Sequence, residues 1–108
     1  MYYALNLFDL ADAEAYRAYM RTAGPIVKEL GGELVVMGRR TESLPQDFPE
    51  ATVGGGQRWM VIATYPDADG PKKLWDHPKY QAVKHLRASG TKNYVWAYYE
   101  KADILTER

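Results

Sequence analysis

Two histidines, His77 and His85, are the groups best suited to acid–base or metal chemistry in this 108-residue chain, and no cysteine accompanies them. Eight residues of continuous helix would hold the two imidazoles about 12 Å apart, too far to share one metal ion. No metal site is expected. His77 stands directly before Pro78, where it could serve alone as a general base or a haem ligand; the competing reading is a polar residue at a helix start. Tyr80 and Arg87 follow seven positions apart, two turns along one helical face, so a phenol and a guanidinium could meet one anionic ligand. The alternative for that pair is packing plus a surface salt bridge. His77, Tyr80 and Arg87 are the catalytic candidates.

Asn6 is polar within an apolar alternation, and a buried amide at that position needs either internal partners or a ligand. Trp59, Trp75 and Tyr16 are candidates to line a ligand pocket beside it, and the tryptophans are equally suited to anchor a core or an interface. Aromatic residues make up 13% of the chain, with nine tyrosines and three tryptophans, a stock that favours interfaces and pockets over deep core. Lys72, Lys73, Lys79, Lys84 and Lys92 make one region basic, which reads most simply as a solvated face. Gly54-Gly55-Gly56 is not a phosphate loop, because no Lys-Ser/Thr follows and no helix begins there. No cofactor motif is present.

Charge and length narrow the partners. Lys plus Arg and Asp plus Glu number 14 each, so no global basic field attracts nucleic acid or an anionic membrane surface. No apolar run approaches the roughly 20 residues of a membrane-spanning helix, and the start Met-Tyr-Tyr-Ala-Leu-Asn lacks the basic region of a signal peptide. With no disulfide to form, a reducing, cytoplasmic location is expected. The length suits one domain, residues 1–108, with a loose polar tail over residues 101–108.

The elements that must position these side chains follow from periodicity. Tyr2 to Phe8 alternates as a strand, with Tyr3, Leu5 and Leu7 on one side and Tyr2, Ala4, Asn6 and Phe8 on the other. Asp12 is a helix cap, and Tyr16, Tyr19, Met20, Ala23, Val27 and Leu30 recur at helical spacing. Gly24-Pro25 should kink or break that helix, and Gly31-Gly32 should end it. Glu33 to Gly38 forms a second strand running on toward Ser43. The Pro- and Gly-rich stretch from Thr41 to Gln57 reads as a long irregular connection. Arg58 to Tyr65 alternates as a third strand that Pro66 stops. A helix opens at Asp69-Gly70-Pro71, and Pro78 forces His77 out of helical conformation, so a second piece runs from Pro78 to about Ala88 before Gly90 closes it. Asn93 to Glu100 is the last strand.

The order β-α-β-β-α-β predicts an α+β, ferredoxin-like domain: a four-stranded antiparallel sheet with both helices on one face. Strands one, three and four carry apolar or aromatic groups on both sides, whereas an uncovered face should be polar. A homodimer packed through that second face is the expected solution. The alternative is that the long connection or the tail folds over it.

Gly31-Gly32-Glu-Leu-Val-Val-Met-Gly38, then Tyr65-Pro66, then Trp75-Asp76-His77-Pro78-Lys79-Tyr80-Gln81 with Arg87 downstream, together resemble domain-of-unknown-function family 1330. The resemblance spans nearly the whole chain and implies the dimeric α+β barrel superfamily. That superfamily includes cofactor-free monooxygenases, lactone isomerases and haem-binding enzymes with pockets between sheet and helices. The chain departs from the resemblance in two places: His77 stands where a serine is usual before the proline, and the connection after strand two is extended beyond Asp47-Phe48 by Glu50 to Gln57. The functional expectation is an enzyme for a small aromatic or acidic metabolite, monooxygenase- or isomerase-like, or alternatively a non-catalytic dimeric ligand-binding module.

Overall fold

The computed structural model describes residues 1–42 and 57–106. Its elements run β1 (Tyr2–Leu10), α1 (Ala13–Glu29), β2 (Glu33–Arg39), β3 (Trp59–Tyr65), α2 (Gly70–Asp76), α3 (Pro78–Gly90) and β4 (Thr91–Glu100). The strands form one antiparallel sheet in the order β2-β3-β1-β4. Ala4 and Phe8 of β1 and Val61, Ala63 and Tyr65 of β3 join Tyr19, Ala23 and Ile26 of α1, Leu74 of α2 and Tyr80 of α3 in a single buried core. The helices therefore cover one face, and the fold is ferredoxin-like α+β.

Local chemistry explains the helix ends. Asp12 is extended (φ −145°, ψ 101°) and its carboxylate accepts from the Glu14 and Ala15 N–H groups at 3.1 and 3.2 Å, satisfying donors that the first turn leaves free. At the other end Gly31 takes φ +80°, which costs a residue without Cβ little. The Gly32 N–H then donates to Val27 O at 2.9 Å and the Gly31 N–H to Lys28 O at 3.0 Å, a Schellman closure. Between α2 and α3, His77 sits at φ −65°, ψ 130°, the extended conformation that Pro78 imposes on its neighbour.

Four boundaries differ from the sequence expectation. α1 is not broken at Gly24-Pro25 but continues as one helix, because Tyr19 and Ala23 before the proline and Ile26 and Val27 after it are buried in the same core; that packing outweighs one missing backbone bond. β2 ends at Arg39 instead of running toward Ser43, with one further ladder bond from the Arg40 N–H to Arg58 O at 2.7 Å. β1 extends to Leu10, and β4 begins at Thr91 rather than Asn93, since Asp9 pairs with Lys92 and Leu10 with Thr91. The expected long connection lies mostly outside the described residues. Within the tail, the Lys101 N–H donates to Met1 O at 3.2 Å, while Ile104 and Leu105 are exposed.

Two register shifts decide what faces the helices. In β4 the pairing slips between Leu7/Val95 and Asp9/Lys92, and Asn93 adopts φ 54°. Such a bulge sets two residues, Asn93 and Tyr94, against one; beyond it Tyr94, Trp96 and Tyr98 alternate onto the helix face, and the Tyr94 ring lies parallel to Phe8 at 5.2 Å. In β2 the slip between Leu34 and Val36 leaves Val35 unopposed, so Leu34 pairs with Ala63 and Met37 with Val61. Both consequently lie on the helix side although they are three positions apart. The opposite sheet face carries Tyr3, Leu5, Leu7, Met60 and Ile62, all half-buried, with Val95 and Tyr99 exposed.

Candidate functional site

Polar atoms gather where α1 and α3 cross the middle of the sheet. Asn6, at the centre of β1, points into the helix layer and is buried. Its Oδ1 accepts from the Tyr94 hydroxyl at 2.7 Å and its Nδ2 donates to Val61 O at 3.1 Å. Both ends of the amide are engaged within the chain, as a buried amide requires. Nearby, the Tyr19 and Tyr80 hydroxyls are hydrogen-bonded to each other at 3.0 Å, and Arg87 Nη1 donates to the Tyr80 hydroxyl at 3.2 Å.

Arg87 is the centre of the arrangement. Its guanidinium carbon lies 4.3 Å from the centroid of Tyr94, 5.0 Å from Trp96 and 6.0 Å from Trp75, within range of attraction by ring quadrupoles. Among the described residues no carboxylate forms an ion pair with it. Burial works against its charge, yet the phenol oxygens of Tyr80, Tyr94 and Tyr19 outweigh burial and push its pKa up. Arg87 is thus a permanent, half-buried cation surrounded by rings rather than by a counter-ion. Burial also pushes the Tyr16 phenol up to about 12, against the opposing pull of Arg87. It raises Tyr19, Tyr65 and Tyr94 as well. At neutral pH these four phenols are hydrogen-bond donors and not bases.

Space is divided unequally about this cluster. The cavity between sheet and helices, bounded by Asn6, Tyr16, Tyr19, Tyr94 and Trp96 among others, has a volume of about 30 Å³, room for one or two water molecules. On the other side of Tyr94 a groove of about 440 Å³ opens between α3 and β4, large enough for a small organic molecule. Arg87 and Trp75 line it, and Tyr94 borders both spaces.

The structure brings together Asn6, Tyr16, Tyr80, Arg87 and Trp75, five of the residues singled out in the sequence. Trp75 contacts Tyr80 at 5.7 Å and Trp96 at 6.1 Å between ring centroids. Trp59 lies elsewhere, beneath the Arg39 guanidinium at 5.8 Å and beside a separate apolar groove of about 220 Å³ that includes Phe8, Tyr16 and Met37. His77 acts as the cap of α3, where its Nδ1 accepts from the Lys79 N–H at 3.1 Å and its Nε2 lies 3.4 Å from Glu29 of α1. That geometry needs Nδ1 unprotonated, so the ring acts as a helix-capping acceptor. His85 is exposed in the groove. Sequence reasoning overlooked Tyr19 and Tyr94. Tyr19 shares a helix face with Tyr16 and Tyr94 shares a strand face with Trp96 and Tyr98, signals that were available, but the pairing of Tyr94 with Asn6 needs the strand register. Among the described residues no three His, Cys, Asp or Glu side chains gather to hold a metal ion, and no helix is long and apolar enough to cross a membrane.

Fold and site together define a ferredoxin-like α+β domain with an arginine held among phenol and indole rings. Residues 1–98 match the family described as domain of unknown function (DUF1330), and the chain belongs to it. No curated protein matches the chain. Among solved structures it is similar to a protein of unknown function from Rhodopseudomonas palustris, with 24% identity, 94% of this chain and 82% of that one covered, and a TM-score of 0.73. A dimeric ferredoxin-like protein of unknown function from a Jannaschia species matches at 15% identity, 93% and 98% coverage and a TM-score of 0.63. SnoaB, a cofactor-independent oxygenase from Streptomyces nogalater, matches at 10% identity, 98% and 97% coverage and a TM-score of 0.59. At these identities the likeness is one of fold.

Proposed function

We propose that this protein is a homodimer that binds a small aromatic or acidic molecule beside Arg87, through the groove between α3 and β4. One observation carries the reading: a half-buried guanidinium with ring faces around it and no carboxylate paired to it among the described residues. A partly desolvated charge gains from an anion that completes its surroundings, and planar bidentate recognition suits a carboxylate. Binding is favoured over acid–base catalysis, because the surrounding phenols hold their protons and His77 would have to give up its helix cap to act as a base. The fold likeness to a cofactor-independent oxygenase supports a second, catalytic reading, in which Arg87, held by the buried Tyr80 hydroxyl, orients the substrate.

The homodimer draws its support from the second sheet face, where Leu5, Leu7 and Ile62 stand on the side away from the helices, and from dimeric relatives of the same fold. An apolar face of this kind suits a self-complementary interface of about 800 Å² per subunit. Ile62→Lys is expected to yield a monomer by light scattering; an unchanged mass for the wild type as a monomer at micromolar concentration would remove this part. For the site, titration with benzoate followed by amide and indole chemical shifts is expected to move Trp75, Arg87 and Tyr94. Arg87→Ala should abolish the response with the dimer mass retained. Benzoate binding that survives Arg87→Ala would sink the reading.

A further inference from the structure

The groove between α3 and β4 holds more positive charge than one carboxylate can use. Lys84, Arg87 and Lys92 line it with His85, and among the described residues no carboxylate side chain lines it. The chain as a whole has 14 acidic and 14 basic residues, so this local excess departs from the average surface. Asp9 approaches through Asn93, but its oxygens accept from Asn93 Nδ2 at 3.0 Å and from the Arg58 N–H at 3.1 Å. Lys73, by contrast, faces Asp67 at 2.9 Å and Asp69 at 3.6 Å, and it does not line the groove. Within the basic stretch Lys73 is thus neutralised, whereas among the described residues no carboxylate pairs with Lys84, Arg87 or Lys92.

The groove also offers a ring. Trp75 is 37% exposed, and the Lys84 ammonium lies 5.1 Å from its centroid. A flat ligand lying beside this indole would have both the Lys84 ammonium and the Arg87 guanidinium, 5.1 and 6.0 Å from the ring centroid, within reach of its substituents. If the ligand carried a single charge engaged by Arg87, the ammonium groups of Lys84 and Lys92 would stay uncompensated in the same groove, where like charges repel. A second negative charge removes that repulsion and gains from it.

We infer that the groove takes a planar ring bearing two negative charges, a dicarboxylate or a phosphate ester, in preference to a singly charged acid. The inference rests on Arg87 being the charge receptor of the site, and it adds the charge number and shape of the ligand. Calorimetric titration of the intact protein at low salt with benzoate, phthalate, phenyl phosphate and inorganic phosphate tests it. At least one of phthalate and phenyl phosphate should bind about tenfold tighter than benzoate, and the one that does identifies the second charge as carboxylate or phosphate. Lys84→Ala and Lys92→Ala should each weaken that ligand about threefold, as expected for partly exposed charge pairs, and leave benzoate within a factor of about two. Raising the salt should erode the dianion's advantage. Benzoate binding as tightly as both dianions, or lysine variants without effect, would overturn the charge assignment while leaving Arg87 as a receptor. Inorganic phosphate binding as tightly as phenyl phosphate would overturn the requirement for a ring. Failure of all four probes to bind would remove the Arg87 site and this inference together.

Discussion

Tyr94→Phe removes one oxygen and tests whether the buried amide at the centre of β1 is held as the structure indicates. The lost hydroxyl donates to Asn6 Oδ1 at 2.7 Å, and Asn6 is only 9% exposed, so the substitution strands an acceptor away from water. An unsatisfied buried polar group costs about 1–3 kcal/mol. The adjoining cavity of about 30 Å³ touches both residues and can admit a water to the orphaned oxygen, which places the expectation in the lower half of that range, about 1–2 kcal/mol. For a domain of about 100 residues this corresponds to a fall in Tm of roughly 5–15 °C. Urea unfolding at fixed protein concentration, with an unchanged m-value, would measure it. Asn6→Leu alone should cost at least as much, because it strands the Tyr94 hydroxyl, while the double variant should cost less than the sum, with a coupling of about 1 kcal/mol. Tyr94→Phe within about 0.5 kcal/mol of the parent, or strict additivity in the cycle, would refute the hydrogen bond as a structural element.

Three further outcomes follow from the same geometry. Tyr16, with its phenol at about 12, binds its proton more tightly folded than unfolded, where tyrosine titrates near pH 10; Tyr19, Tyr65 and Tyr94 shift in the same direction. The folded state then holds more protons above pH ~10, so stability is level below that pH and falls as pH rises beyond it; tyrosinate absorbance amounting to all nine tyrosines before any loss of helix signal would contradict this. Gly70→Ala would set a Cβ 2.4 Å from Tyr65 Cγ and 2.5 Å from its Cδ1, against a ring that is 2% exposed and has nowhere to retreat. It should destabilise by about 2–3 kcal/mol in chemical unfolding. His77→Ala should cost about 1 kcal/mol through loss of the α3 cap, whereas His77→Ser should restore most of it; equal losses in both would assign His77 to something other than capping.

How far the chain explains itself depends on the range of the interaction. Tyr3, Leu5 and Leu7 against Ala4, Asn6 and Phe8, the Asp12 cap, the closure at Gly31-Gly32 and the extended His77 before Pro78 are all set within a few residues. Sterics and a period of two or 3.6 suffice for them, and they were legible before any coordinates. The element order then left few topologies to choose among, and the ferredoxin-like sheet followed. Pro25, expected to kink or break α1, does not break it, because a local penalty competes with core packing contributed from the whole sheet. The site belongs to the long range. Asn6 meets Tyr94 across 88 residues and Tyr19 meets Tyr80 across 61, and neither pairing can be inferred without the strand register. Alternation sets Tyr94 on the face of Trp96 and Tyr98, while the bulge at Asn93 shifts the pairing of Thr91 and Lys92 with β1 and the slip at Val35 brings Leu34 and Met37 to the same face. Alternation along a single strand cannot report a register shift, since that is a property of two strands at once, and only the assembled sheet decides which rings surround the guanidinium.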